Sequence, residues 1–181
     1  MKNAYSSEVE KFRNGIFSLN TRRFGSLAEL MIQILYQLED SKTLAYDKVG
    51  KDSNKIEVKF STVMKKNSNS IKKDNVIEQA IAANTEIRKV NSDEDCEFDC
   101  NIQQIKTKEF DILYYGLFFY DKIFIYKINS SDVKSIPGYS DKQHRGNVGE
   151  GQFHITNSNI NFHKKYLIKT LSYDDLYEMF S

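Results

Sequence analysis

The run of residues 43–63, in which TLAYDKVG and KIEVKFSTV flank the polar turn KDSN, most limits the fold of this chain. Enrichment in β-branched and aromatic residues around such a turn predicts a β-hairpin. Side chains two residues apart on a strand point to the same face, so Glu57 and Lys59 share one face and Val58 enters the other. A turn about Asp52 would place Asp47 directly opposite Glu57. We therefore expect two carboxylates and one ammonium to lie within a few ångströms of one another.

These charges are unusual because the strand around them, IEVKF, is otherwise apolar. One interpretation is an exposed hairpin face with solvated cross-strand ion pairs. The other is a functional site, because an apolar interior excludes charged groups unless they are paired or bind a metal. Two carboxylates beside a backbone carbonyl are suitable ligands for Mg²⁺. A lysine beside such an ion can orient or deprotonate a water and stabilise charge that develops on phosphorus. The second interpretation predicts metal-assisted hydrolysis of a phosphodiester.

Helical and extended segments surround the hairpin. The segment SLAELMIQILYQLED combines an apolar stripe at helical spacing with Ser26 and Glu29 in a capping-box pattern, which predicts a helix over 26–40. A shorter helix that ends near Gly15 precedes it. The other predicted elements are a helix over 75–91, strands over 110–120, 121–128 and 152–157, and a helix over 172–180 capped by Ser172.

Loops are predicted in three polar segments, at 65–75, at 91–101 and from Pro137 to Gly151. The resulting order of helices, hairpin, helix, strands and short helix predicts an α/β (α+β) fold with a mixed central sheet flanked by helices. The chain has 181 residues, of which 40% are hydrophobic, so one domain over 1–181 accounts for all of it.

Charge and cysteine content restrict the class of protein further. The 26 basic and 25 acidic residues nearly cancel, so a polyanion would have to bind to a local basic patch. No apolar run is long enough to span a membrane, and we expect a soluble, cytoplasmic protein. Cys96 and Cys100 have no histidine near them in sequence, which favours two reduced thiols over a metal site.

The pattern Asp47, nine intervening residues, then Glu57-Val58-Lys59 resembles the motif of the PD-(D/E)XK nuclease superfamily. Tyr46 stands where the family name has proline. The resemblance implies an αβββαβ, restriction-endonuclease-like core. It also implies that Asp47 and Glu57 bind Mg²⁺ and that Lys59 positions the attacking water. The family commonly has a glutamate on the preceding helix, a place that Glu29 fits as a catalytic or second-metal residue, in addition to its predicted capping role.

Within that superfamily the chain is similar to small type II restriction endonucleases. This resemblance implies sequence-specific hydrolysis of double-stranded DNA, and a cognate DNA methyltransferase as a partner. Symmetric cutting of both strands needs two active sites, so we expect a homodimer. Two alternatives stay open. One is a repair or recombination nuclease of the same fold that reads DNA structure, and the other is a DNA-binding or protein-interaction module without catalysis.

A base-recognition segment is predicted at about 138–165, because residues 143–163 concentrate planar side chains with several hydrogen-bonding groups. The alternative is an ordinary surface loop. Arg, Asn and Gln are the side chains that bond to base edges in the major groove, whereas lysines hold phosphates. The candidates for reading bases are Arg145, Asn147, Gln152, His154 and Asn157, and the candidates for holding phosphates are Lys164, Lys165, Lys65 and Lys66.

Overall fold

This computed structural model describes residues 2–66, 71–82, 85–142 and 148–181, in which two helices precede the first strands. The α-helices are α1 (Lys2–Ser18), α2 (Thr21–Tyr36), α3 (Val76–Ala82), α4 (Ile160–His163) and α5 (Tyr173–Phe180). Short 3-10 helices span Thr85–Arg88, Ser130–Ser135 and Lys164–Tyr166. The strands are β1 (Glu39–Asp40), β2 (Lys48–Val49), β3 (Lys55–Thr62), β4 (Met64–Lys65), β5 (Phe98–Ile105), β6 (Ile112–Phe118), β7 (Ile123–Asn129), β8 (Ser140–Lys142), β9 (Val148–Thr156) and β10 (Leu167–Leu171).

The central sheet has the strand order β1-β2-β3-β6-β7-β10. Its strands β3 and β6 are parallel and the other neighbours are antiparallel, so the sheet is mixed. On β3, the short strand β2 pairs with Lys55 and Ile56 alone. Within the described residues, the rest of that edge of β3 therefore has no strand paired to it.

The two faces of the central sheet are covered differently. On one face, α1, α2 and α5 bury apolar side chains such as Met31 and Leu176 against Val58 and Phe118. On the other face, Tyr115 and its neighbours pack against the second sheet, whose strand order is β4-β5-β9-β8. The predicted class, a mixed α/β fold with a central sheet flanked by helices, is confirmed. No helix of the described segments is both long and apolar enough to cross a membrane.

The second sheet is the part of the fold that the sequence pattern predicts least well. Strand β5 begins at Phe98, inside the segment predicted as an acidic loop. Strands β8 and β9 similarly interrupt the loop predicted from Pro137 to Gly151, of which 143–147 lies outside the described residues. Amide-rich strands have weak β-propensity, and pairing with distant strands decides their conformation. Cys96 and Cys100 are free thiols, as predicted.

Helix boundaries also differ from the predicted ones. The N-cap of α2 is Asn20, whose side chain accepts a hydrogen bond from the Arg23 N–H at 3.0 Å. Ser26 therefore lies inside the helix, where its hydroxyl donates to the Arg22 carbonyl, and Glu29 does not occupy a capping position. Helix α1 continues through Gly15, where an added Cβ would meet no atom within 4 Å. The capping-box pattern at Ser26 was a wrong prediction because Asn20 offers an earlier cap.

Candidate active site

The hairpin of β2 and β3 turns about Asp52, as the sequence predicts. The ladder pairs Lys48 with Ile56, so Asp47 follows one step further, opposite Glu57. The Asp47 N–H donates to the Ile56 carbonyl at 3.0 Å, and the Val58 N–H donates to Oδ2 of Asp47 at 2.8 Å. Backbone hydrogen bonds thus hold the Asp47 carboxylate against the edge of β3.

Lys59 joins the two carboxylates. Its Nζ lies 2.5 Å from Oε1 of Glu57 and 3.8 Å from Oδ2 of Asp47. Glu57 retains only 8% of its accessible surface, which does not agree with a solvated hairpin face. The ladder pairs Glu57 with Leu113 and Lys59 with Tyr115, on the sheet face that the second sheet covers. Three charged groups therefore converge in a largely buried place.

Burial controls the protonation of this cluster. Desolvation raises the pKa of Glu57 to about 7, with the Lys59 ammonium opposing the shift and the Asp47 carboxylate adding to it. Burial alone would lower the pKa of Lys59, but the charges of Glu57 and Asp47 outweigh it and raise this pKa. The lysine is therefore a permanent cation at neutral pH, whereas Glu57 exchanges its proton near neutrality.

Glu29 approaches the cluster from α2. It is half-buried, and its pKa is raised first by this burial and then by the Asp47 carboxylate, which lies close enough to act on it. Glu29 and Lys59 both line one cleft of about 680 Å³. The predicted place of Glu29 beside the hairpin is thus observed in the fold, although its helix begins earlier than expected.

The cleft lies where, among the described residues, one edge of each sheet is only partly paired. Within these residues, strand β4 pairs with Phe98 and Asp99 of β5 alone, just as β2 covers only the start of β3. Side chains from α2, β3, β5 and the first 3-10 helix line the space between these edges. Four polar ones that sequence reasoning missed are Arg22, Arg88, Asn101 and Gln103. No local spacing relates them, because they meet only through tertiary packing.

Lys48 is another residue that the motif does not reveal. Its ammonium is buried and lies 2.5 Å from Oδ1 of Asp40 and 2.9 Å from Oε1 of Gln33. The contact with Gln33 joins β2 to α2 directly beside Asp47. The position of Lys48 next to Asp47 in the sequence is the signal that could have identified this lysine.

The residues predicted to read bases lie on β9 or just after it, apart from two that lie outside the described residues. Gln152 and His154 lie on one face of β9, where Nδ1 of His154 is 2.8 Å from Oδ1 of Asp99. The Asn157 amide accepts from the Phe98 N–H at 2.8 Å and donates to the Cys96 carbonyl at 2.7 Å. These bonds attach the end of β9 to the start of β5. Arg145 and Asn147 lie outside the described residues.

The lysines predicted to hold phosphates divide into two pairs. Lys65 lies 2.5 Å from Glu94 and Lys66 lies 3.4 Å from Glu97, so the acidic segment at 91–97 partly neutralises both. Lys164 and Lys165 are exposed, and Nζ of Lys165 lies 4.0 Å from the ring centre of Phe162. The second pair is thus the more available to a polyanion.

The sequence matches no protein-family model and no curated protein.

Proposed function

We propose that this protein is a Mg²⁺-dependent endonuclease that hydrolyses phosphodiester bonds of double-stranded DNA, with the site specificity of a type II restriction endonuclease. The observation that carries the proposal is the convergence of Asp47, Glu57 and Lys59 on a buried hairpin face, beside a cleft that Glu29 and Lys59 line. Burying two carboxylates around a single lysine costs desolvation free energy, and clusters of this kind concentrate at functional sites.

The donor set fits Mg²⁺. Asp47 and Glu57 would be its two acidic ligands, since they face each other across the hairpin and share the Lys59 ammonium; among the described residues, no three or more His, Cys, Asp or Glu side chains form a larger group that could hold a metal ion. Proteins commonly bind Mg²⁺ through one or two carboxylates, with waters and substrate phosphate oxygens as the remaining ligands. The backbone bond and the lysine contact of Asp47 both involve Oδ2, which leaves Oδ1 for a cation. When bound, the ion would polarise the scissile phosphate and acidify a water.

The protein groups would supply positioning and charge. The Lys59 ammonium faces both carboxylates, so it would orient the attacking water beside them and stabilise the negative charge that develops on the phosphate oxygens. The half-buried Glu29, whose raised pKa favours proton exchange closer to neutrality, would accept a proton or hold a second cation.

The order of elements also supports the proposal. Helix α2, strands β1 to β3, helix α3 and strand β6 follow one another in the αβββαβ order that the resemblance implies, with strands of the second sheet inserted. A restriction endonuclease of this kind would act as a homodimer on DNA and would be accompanied by a cognate methyltransferase.

Digestion of plasmid DNA with and without a chelator tests the proposal. Glu57→Ala and Lys59→Ala should each reduce the cleavage rate by at least about 10²–10³-fold, because each removes a group that acts on the reacting phosphate. Lys55→Ala changes an exposed lysine of the same strand and serves as the matched control, with wild-type activity expected.

The products distinguish the remaining alternatives. Discrete bands indicate a sequence-specific enzyme, whereas a smear, or cleavage of branched substrates alone, indicates a structure-reading nuclease. No cleavage of any DNA by the wild-type protein with Mg²⁺ or Mn²⁺ would refute the catalytic proposal and favour a binding module.

A further inference from the structure

The outward face of the second sheet carries a row of planar polar side chains. In the β5–β9 ladder, Asn101 pairs with His154 and Gln103 pairs with Gln152. The residues between them on each strand, such as Ile102 and Phe153, are buried in the core. Side chains alternate between the two faces along each strand, so the Asn101–His154 pair and the Gln103–Gln152 pair point to the same side of the sheet. This β5–β9 face presents four side chains that can each donate and accept hydrogen bonds.

The β5 half of this face adjoins the candidate active site. Asn101 and Gln103 line the same cleft as Glu29 and Lys59. A surface that reads sequence must contact the same DNA whose phosphate is being cleaved. Arg22 and Arg88 also line this cleft, and arginine is well suited to hold phosphate oxygens. The cleft thus combines phosphate-binding, base-reading and reacting groups.

The fold makes less use of Asn101 and Gln103 than of the other two side chains, since Gln152 donates to the Lys142 carbonyl at 3.3 Å and Nδ1 of His154 lies 2.8 Å from Asp99. Asn101 Nδ2 donates to Oε1 of Gln103 over a long distance of 3.5 Å, and Oδ1 of Asn101 is buried without a partner among the described residues. A buried acceptor without a donor costs free energy, so the fold does not stabilise this orientation of the Asn101 amide. Asn157 shows the contrast, because its amide binds two backbone groups at 2.7–2.8 Å.

We infer that Asn101 and Gln103 are specificity-determining residues that read base edges of double-stranded DNA, with Gln152 and His154 completing the reading surface. The inference rests on the proposed nuclease function. Asn and Gln bond bidentately to adenine through its N6 and N7, so each should favour adenine at one position. The paired side chains lie on neighbouring strands about 5 Å apart, a spacing that fits within the major groove of B-form DNA, which is about 12 Å wide.

Selection from a library of 30-base-pair DNA duplexes with a randomised centre tests the inference. The wild-type protein should enrich one motif. Asn101→Ala and Gln103→Ala should each lose the preference at one position and lose roughly ten- to a hundred-fold in affinity for that motif, with little change for other sequences. Asn129→Ala alters an exposed amide at the end of β7, away from the cleft, and should leave motif and affinity unchanged.

Asn101→Asp separates base reading from a structural role. A carboxylate accepts from cytosine N4 but cannot donate to adenine N7, so the preferred base at that position should change from adenine to cytosine. Gln103→Glu should have the same effect at a second position. Thermal unfolding of each variant verifies that the fold is retained, and a changed motif is itself evidence of a folded reading surface.

The outcomes separate this inference from the nuclease proposal. An unchanged motif in all four variants, or an equal loss of affinity for every sequence, would overturn the inference and leave the nuclease proposal standing. Tighter binding to an RNA duplex of the selected sequence than to the DNA duplex, in a separate titration, would also overturn it, since the major groove of A-form RNA is too narrow to be read. A wild-type protein that binds no duplex at all would overturn both.

Discussion

At the scale of single residues, Glu57 is expected to make stability depend on pH. Its pKa rises from a usual value of 4.5 to about 7 on folding, so the folded chain holds this proton more tightly. Between these pH values the folded state binds more protons than the unfolded state, and the free energy of unfolding should therefore fall as pH rises. The slope would reach at most about 1.4 kcal/mol per pH unit. Urea unfolding in chelator should show this slope in the wild-type protein and not in Glu57→Gln. Parallel profiles for the two proteins would contradict the assignment.

The same ionisation should control metal affinity. A carboxylate binds Mg²⁺ only after losing its proton. With the Glu57 pKa raised to about 7 by burial, the Mg²⁺ concentration for half-maximal cleavage should fall about tenfold for each unit that pH rises toward 7 and level off above it. Cleavage rates titrated with Mg²⁺ from pH 5.5 to 8.5 measure this. A half-maximal concentration that is constant below pH 7 would exclude Glu57 as a ligand that must first lose its proton.

At the scale of elements, two serines test how helix ends are specified. Ser172 caps α5 in a full capping box with Asp175, whereas Ser26 carries the same sequence pattern but lies inside α2. Ser172→Ala should lower the free energy of unfolding by about 1 kcal/mol. Ser26→Ala should be neutral or stabilising by a few tenths of a kcal/mol, because alanine is the better helix former. Denaturant unfolding measures the free energy of unfolding of both variants. A loss of about 1 kcal/mol in Ser26→Ala would show that Ser26 acts as a cap.

Two glycines make a similar pair for the central sheet. A Cβ on Gly116, in β6, would collide with the Phe124 carbonyl and the Phe60 ring, whereas a Cβ on Gly15, in α1, would meet no atom within 4 Å. Gly116→Ala should therefore cost about 1–3 kcal/mol or more, because backbone of the neighbouring strand must move. Gly15→Ala should instead stabilise by about 0.5–1 kcal/mol. Thermal unfolding distinguishes the two, and equal melting temperatures would refute the close packing at Gly116.

At the scale of the whole molecule, charge along the cleft should govern DNA affinity. Arg22→Ala and Arg88→Ala should weaken binding to all duplexes alike and reduce the slope of log K against log salt by about 1 each. Arg23 is exposed on the same helix as Arg22 but does not line the cleft, so Arg23→Ala is the control. Binding titrations at several salt concentrations measure these slopes. Equal slopes for Arg23→Ala and Arg22→Ala would show that DNA does not bind in this cleft.

Self-association is expected through the N-terminal helices. Leu30 and Ile34 lie one helical turn apart on α2 and remain 49% and 45% exposed. Light scattering should show a dimer for the wild-type protein and a monomer for Leu30→Glu, because a charge on an apolar interface opposes association. Ile81→Glu, at an isoleucine of α3 that is 80% exposed, should leave the dimer intact. A wild-type monomer with and without DNA would exclude symmetric cutting by a homodimer.

The hairpin, the paired strands β6 and β7 and the cap of α5 could all be predicted from the sequence. Turn residues, two-residue alternation and capping patterns act between neighbours in the chain, so their physical causes are local. The opposition of Asp47 and Glu57 follows from the same local register, which is why the sequence alone locates the candidate site.

Strand β5, the cleft and the raised pKa of Glu57 were decided by tertiary structure alone. Strand β5 has a polar, acidic sequence around it and becomes a strand because β9 and β4 pair with it. The cleft joins Arg22, Arg88 and Gln103 across long stretches of chain. The raised pKa of Glu57 depends on burial by the second sheet and on the charges of its neighbours. Desolvation and strand pairing both depend on residues far apart in the chain, so no local pattern in the sequence could specify them.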